Sequence, residues 1–294
     1  MFPNFLGIGA QKSGTTWLYT MLKQHPEIWL PPTKEAHFFN YYLYSPSPFH
    51  RKFFWRVWRR QLWERMRGYP FHGNYASLKW DIRYFFMPHT TKWYASIFEP
   101  GKGKMTGEIT PAYSILDKDQ IAYIYNLMPQ LKVIFLMRDP IDRAWSQLKM
   151  LNVNIKGYVN FKSQKQLIRK LGYRGMKLRG NYLRILENWK SFYQEDQIFI
   201  GFFEELSKCP EDLLIRLYRF LEVDTSKKYI PDNVRQRRNP GSDIPLPPRI
   251  AYYLAESYYE EIKELCKLFG GYANDWLEHA EKILKCSSGK NFGK

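Results

Sequence analysis

The chain has 294 residues, with 45 Lys and Arg against 28 Asp and Glu, for a formal net charge of +17. Hydrophobic residues at 45% and charged residues at 25% are ordinary globular proportions, which excludes intrinsic disorder for the bulk of the chain. No run approaches the roughly 18 apolar residues of a membrane span, and three dispersed cysteines (Cys209, Cys266, Cys286) exclude a disulfide framework.

In chain order, Phe5–Ala10 reads as a buried strand, too short for the hydrophobic region of a signal peptide. A helix is expected from about Gly14 to Gln24, closed by Pro26. Lys104–Ile109 is the next strand and Asp117–Leu127 the next helix; Lys132–Met137 and Pro140–Met150 repeat the pair. A helix over Gly180–Tyr193 leads to a strand at Gln197–Phe203, and helices over Pro210–Leu221 and Pro248–Phe269 complete the pattern. Strands separated by helical segments imply right-handed crossovers, so the expected fold class is α/β: a P-loop-like three-layer fold with a central parallel sheet flanked by helices. Ligands of such sheets sit at the carboxyl ends of the strands. Without repeats or a Gly/Ser linker, residues 1–286 read as a single domain with insertions at about 46–94, 152–175 and 233–248, followed by a tail over 287–294. The expected setting is cytoplasmic and reducing, with no structural metal, because no Cys/His pair has zinc spacing.

The positive charge, together with 18% aromatic residues, suits either a nucleic-acid binder or an enzyme with a polyanionic cofactor or acceptor. The placement of the basic residues arbitrates. Gly9-Ala-Gln-Lys12-Ser13-Gly14-Thr15-Thr16-Trp17 stands between the first strand and the first helix, where a glycine-bearing turn aims backbone N–H groups and the positive helix end at an anion. The spacing Gly9-x4-Gly14 matches a Walker loop, yet Thr15 occupies the lysine position and the lysine has moved to Lys12. A grip on triphosphate β/γ oxygens is thereby weakened. Lys12 can instead neutralise charge growing on a departing phosphate oxygen.

The second motif is Arg138-Asp139-Pro140-Ile-Asp-Arg143-Ala-Trp-Ser146, placed where a strand gives way to a helix. Asp139 can cap that helix and Pro140 fits its first turn, so Arg138 is delivered to the ligand edge of the sheet. Arg143 and Ser146 are one helical turn apart, and an arginine and a hydroxyl on one face can hold a second phosphate. The bland alternative for Arg138 is an ordinary salt bridge.

Two phosphate sites describe an adenosine bisphosphate rather than ATP. GAQKSGTTW resembles the 5′-phosphosulfate loop of the sulfotransferases that use 3′-phosphoadenosine 5′-phosphosulfate (PAPS), and RDPxxRxxS resembles their 3′-phosphate motif. Within that superfamily the chain is similar to the heparan sulfate sulfotransferases and their bacterial relatives. Lys34-Glu35-Ala-His37-Phe38-Phe39 and Gly107-Glu108-Ile-Thr-Pro111-Ala-Tyr113 resemble two of their segments, although Ile109 stands where they carry lysine. Arg235-Gln-Arg237-Arg238-Asn239-Pro240 is a looser match to their basic loop.

The resemblance implies transfer of a sulfuryl group from PAPS to a hydroxyl of a carbohydrate or glycolipid, with PAP as product and no metal. It makes Glu35 the general base. Chemistry alone favours His37, because imidazole titrates near ~6.5 unaided while a carboxylate near ~4.3 is a weak base. In an extended segment, residues i and i+2 share a face, so both could look into one cleft. His37 could equally be a packed histidine bonded to backbone. The amides of Ser13, Gly14, Thr15 and Thr16, with both threonine hydroxyls, are expected to bind the 5′-phosphate, Lys12 to neutralise it, and Arg138 and Ser146 to bind the 3′-phosphate. Arg235 and Arg237 are expected to fold over the same end as a lid.

Residues 49–67 space bulky apolar side chains at three- and four-residue steps between cations. One reading is an amphipathic helix on an anionic membrane, which would make the protein membrane-peripheral; the blander and favoured one is a helix packed on the sheet domain. Trp80, Tyr84 and Tyr113 could be platforms for a sugar ring or parts of an aromatic core. The rival functions are an ATP-dependent kinase with a degenerate loop and a basic nucleic-acid-binding module. Against the latter, a generic basic binder needs no phosphate loop, so nucleic acid is not an expected partner.

Overall fold

The computed structural model describes residues 1–42, 58–63, 65–67, 75–152, 163–236 and 244–287. Five strands, β1 (Phe5–Gly9), β2 (Ile28–Trp29), β3 (Met105–Ile109), β4 (Lys132–Met137) and β5 (Ile198–Phe202), form one sheet in the order β2-β3-β1-β4-β5. All four pairings are parallel. Phe5 on β1 faces Gly107 on β3 and Lys132 on β4, so β1 is central and its carboxyl end opens between those of β3 and β4.

Burial of both sheet faces follows from the alternation within β4. Val133, Phe135 and Met137 join the larger apolar cluster, with the helices Lys118–Leu127, Pro140–Leu151, Tyr182–Lys190 and Pro248–Phe269. Ile134 and Leu136 join the smaller one, with the helices Thr15–Leu22 and Pro210–Phe220. A strand apolar at every position from Val133 to Met137 needs a hydrophobic layer on each side, which is the three-layer α/β arrangement expected from the sequence.

The four expected strands lie within a residue of their observed bounds, and the departures are in the helices and in the added strand β2. The first helix starts at Thr15 because Gly14, at φ 86°, takes the N-cap in a left-handed conformation. A Cβ at Gly14 would meet Leu206 Cδ1 at 2.5 Å, a methyl that could shift, so it is the backbone conformation that favours glycine there. The helix expected over Gly180–Tyr193 runs from Tyr182 to Lys190, and Asn181, whose side chain caps it by accepting from Arg184 N–H, separates it from a preceding helix at Arg174–Gly180. Strand β2 and the final helix Tyr272–Ser287 were not anticipated. Part of the first insertion is also helical, at 58–63, 65–67 and Tyr75–Phe86. The remainder of residues 49–67 lies outside the described residues.

Candidate active site

The loop after β1 turns sharply at Lys12, whose φ is 75°, and Ser13 N–H closes the turn on the carbonyl of Ala10 at 3.2 Å. This leaves the Thr15–Leu22 helix to start with free amides, and among the described residues no acidic side chain occupies its first turn. Burial and then the positive charges of Arg138, Lys149 and Lys34 push the Lys12 ammonium below its ordinary pKa. Four cations therefore converge beside a helix N-terminus, an arrangement that a polyanion would relieve. Lys149 escaped the sequence reading; its place one helical turn after Ser146 was the available signal.

Arg138 leaves the end of β4 as its motif implies. Asp139 caps the following helix by accepting from Ile141 N–H at 2.8 Å, and the Tyr182 hydroxyl donates to the Arg138 carbonyl at 2.9 Å. The Arg138 guanidinium stacks on the Phe203 ring, 4.4 Å from its centroid, and donates to the Lys12 carbonyl at 3.3 Å. Its only ion pair among the described residues is a loose one, 3.5 Å to the half-exposed Asp142, and its Nε is buried without a partner. An arginine this poorly saturated fits an anionic ligand better than the ordinary salt bridge.

Arg143 and Ser146 do not act together. Ser146 is half-buried, whereas Arg143 is fully buried and donates to Gln147 Oε1 at 2.7 Å and to the Tyr258 hydroxyl at 3.4 Å. The helix turn that separates them sends the guanidinium into the core, so it is not available to a phosphate. Arg235 is two-thirds exposed and held by Glu211 through two contacts of 2.8 Å, beside Val234, whose carbonyl accepts from Trp17 Nε1 at 2.7 Å. Arg237 lies outside the described residues.

Glu35 and His37 sit on the segment that follows β2. It is not extended: Glu35 and His37 adopt φ of 71° and 57°. Left-handed backbone at a residue other than glycine costs about 1–3 kcal/mol each and must be held from outside. Two groups hold it. Glu108 at the end of β3 accepts Ala36 N–H at 3.1 Å, and Gln61 Nε2 donates to the carbonyl of Lys34 at 3.1 Å and to that of Glu35 at 3.4 Å. The two side chains nevertheless meet, with His37 Nε2 3.1 Å from Glu35 Oε2, while Lys34 Nζ lies 2.6 Å from Glu35 Oε1. His37 Nδ1 faces Asn40 Oδ1 at 3.3 Å. Burial works to raise the Glu35 pKa, but Lys34 and His37 together outweigh it and hold the carboxyl well below the usual range. Lys34 thus bonds the candidate base and also bears electrostatically on Lys12.

Glu108 was legible in the sequence only as part of a resembling segment. It is buried and receives four donors: Tyr94 hydroxyl at 2.6 Å, Tyr113 hydroxyl at 2.8 Å, Thr110 hydroxyl at 3.0 Å and Ala36 N–H. Burial raises its pKa, and the four donors counter this. Tyr113, Trp80 and Tyr84 are all buried in the same aromatic core, which removes them as platforms for a sugar ring. Among the described residues no group of three His, Cys, Asp or Glu could hold a metal ion, and no helix is long and apolar enough to cross a membrane.

A family model described as the sulfotransferase family matches residues 3–227. The chain belongs to the sulfotransferase family. Among curated proteins, a bifunctional heparan sulfate N-deacetylase/N-sulfotransferase of Drosophila melanogaster is 26% identical over 248 residues, covering 77% of this chain and 20% of the fly protein. The chain spans about a fifth of the length of such relatives. A solved sulfotransferase from Alicyclobacillus acidocaldarius has a TM-score of 0.66 at 21% identity, covering 94% of this chain and 99% of that one. Mouse sulfotransferase SULT7A1, solved in complex with PAP, has a TM-score of 0.52 at 14% identity, covering 94% and 89%. Both share the fold that places the loop after β1 and the end of β4 side by side.

Proposed function

We propose that the protein transfers a sulfuryl group from PAPS to a hydroxyl of a carbohydrate or glycolipid acceptor. The observation that carries this reading is the convergence of Lys12, Lys34, Arg138 and Lys149, with Lys34 also bonded to Glu35. Such a cluster suits a ligand with separate phosphates, and among the described residues Arg138 has only a loose ion pair, 3.5 Å to Asp142, to exchange for one of them.

When bound, PAPS supplies the sulfuryl group and the phosphate leaving group. The amides of Ser13, Gly14, Thr15 and Thr16, with the two threonine hydroxyls, hold the 5′-phosphate at the helix N-terminus. Lys12 would bring its ammonium to the leaving phosphate and neutralise the charge that develops there. Arg138 and Ser146 hold the 3′-phosphate, which ATP lacks. Arg235, once released from Glu211, and Arg237 add charge at that end. Glu35 takes the proton of the acceptor hydroxyl. Its low pKa in the free protein comes from Lys34 and His37, so transfer of Lys34 to the incoming anion would raise its basicity as the donor binds. Both ring nitrogens of His37 face oxygens, which suits the ring as a hydrogen-bond donor that orients Glu35.

Isothermal titration tests the nucleotide class. Tight binding of adenosine 3′,5′-bisphosphate without affinity for ATP is the expected result, and the reverse preference would restore the kinase. Radiolabelled PAPS incubated with an extract of the native host then identifies the acceptor.

A further inference from the structure

The helical residues 58–63 and 65–67 and the helix Tyr75–Phe86 form an antiparallel pair. Arg65 bonds Asp81 through two contacts of 3.0 Å, and Trp58 donates to the Phe85 carbonyl at 3.1 Å. The inner side of the pair reaches the candidate base. Gln61, buried and receiving the Tyr84 hydroxyl at 3.3 Å, holds the carbonyls of Lys34 and Glu35. The outer side is different. Leu78, Ile82 and Phe86 recur every four residues and are exposed, Phe86 at 66% and Ile82 at 51%. Trp63 at 55% and Met66 at 61% are exposed on the other member, and Met87, just after the helix, is exposed at 49%.

Isolated exposed apolar side chains are ordinary, but a repeated stripe on one helix face is not. Among the described residues cations predominate around it, and the exposed acid Glu99 is paired with Arg83 at 2.8 Å. Arg59, Arg60, Arg67, Lys79 and Lys92 are exposed, and Arg67 lies 3.8 Å from the Trp63 ring centroid. Among the described residues of the pair the one acid, Asp81, is buried and engaged by Arg65; Glu64 lies outside them. Apolar side chains that can enter the acyl boundary, rimmed by cations, complement an anionic bilayer in both hydrophobicity and charge.

We propose that this face docks on an anionic lipid bilayer and that the acceptor is a hydroxyl of a membrane lipid headgroup, delivered to Glu35 beneath the pair. The acceptor part rests on the sulfotransferase reading; the docking part does not. Gln61 supplies the physical link, because the element that would meet the lipid also pins the peptide of the base.

The test is co-sedimentation of the full chain, without donor, with vesicles of phosphatidylcholine alone and of a phosphatidylcholine–phosphatidylglycerol mixture. Binding to the mixture, weakened by salt, is expected, and Ile82→Ser with Phe86→Ser is expected to lower it by about tenfold or more. Arg59→Glu with Arg67→Glu is expected to remove the preference for the anionic vesicles. Adenosine 3′,5′-bisphosphate affinity, unchanged in both variants, certifies their fold and reports the nucleotide reading separately. No binding to the mixture, or equal binding by the Ile82/Phe86 variant, overturns docking. A dimer in sedimentation velocity that the same variant dissociates, without vesicle binding, assigns the face to a second copy of the chain and also overturns it. If docking holds, transfer from PAPS to vesicle-borne glycolipid must exceed transfer to its water-soluble headgroup; equal rates overturn the acceptor part.

Discussion

Glu108 Oε2 accepts the backbone N–H of Ala36 at 3.1 Å, tying the carboxyl end of β3 to the peptide between Glu35 and His37. The two residues are far apart in sequence, and the bond holds a left-handed stretch that would otherwise relax. Glu108→Gln turns an acceptor-only group into one that presents N–H donors to two tyrosine hydroxyls. It is expected to cost about 1–3 kcal/mol of stability and to lower kcat with little change in KM for the donor. Tyr94→Phe and Tyr113→Phe each remove one partner of Glu108 without touching Ala36, and are expected to lose stability while keeping kcat. Thermal unfolding with steady-state kinetics separates these outcomes; equal loss of kcat in all three variants would reduce Glu108 to a structural carboxylate.

Lys34 governs how acidic the site can become before Glu35 is protonated. Because the folded pKa of Glu35 is depressed, its contribution to stability is present above the ordinary carboxylate value and is lost as pH falls through the depressed one. The acid limb of kcat/KM is accordingly expected below the ordinary carboxylate range. Lys34→Met should move that limb upward, since the lysine that most opposes burial is gone. Glu35→Gln should abolish turnover at every pH. Should His37→Ala abolish it while Glu35→Gln does not, the base is the histidine.

Lys12 and Arg138 are expected to separate chemistry from binding. Lys12→Ala should reduce kcat by about 100-fold or more while the fold survives. Arg138→Met should weaken adenosine 3′,5′-bisphosphate by about 10- to 100-fold, the worth of one charged hydrogen-bonding partner. A near-normal rate for Lys12→Ala would remove that residue from the mechanism.

His279 joins the final helix to the second motif, with Nδ1 2.6 Å from Asp139 Oδ2. Its hydrogen bond to Asp139 raises its pKa, against the effect of burial. A raised pKa gives stability that is complete below the unfolded value of ~6.5 and lost as pH rises through the folded value. The side chain is partly exposed, so the effect is modest. The melting temperature of the parent should decline more than that of His279→Gln between about pH 6 and pH 8, and identical profiles would assign the coupling elsewhere.

Local pattern determined much of this protein. The apolar runs at Phe5–Gly9 and Lys132–Met137, the glycine turn at Gly9–Gly14 and the Asp139-Pro140 helix start are legible because each depends on steric or capping preferences within a few residues. Strand β2 is only two residues long and carries no period of its own. Spacing alone paired Arg143 with Ser146, but which side of that helix faces the core is set by packing against Tyr258, more than a hundred residues away. Contacts of this kind, Ala36 with Glu108, Gln61 with Glu35 and Lys34 beside Lys12, join segments that only chain closure brings together. Burial and the nearby charges that shift pKa values exist only after that closure. The sequence therefore determined which groups stand at the strand ends, and the tertiary structure decided which of them meet.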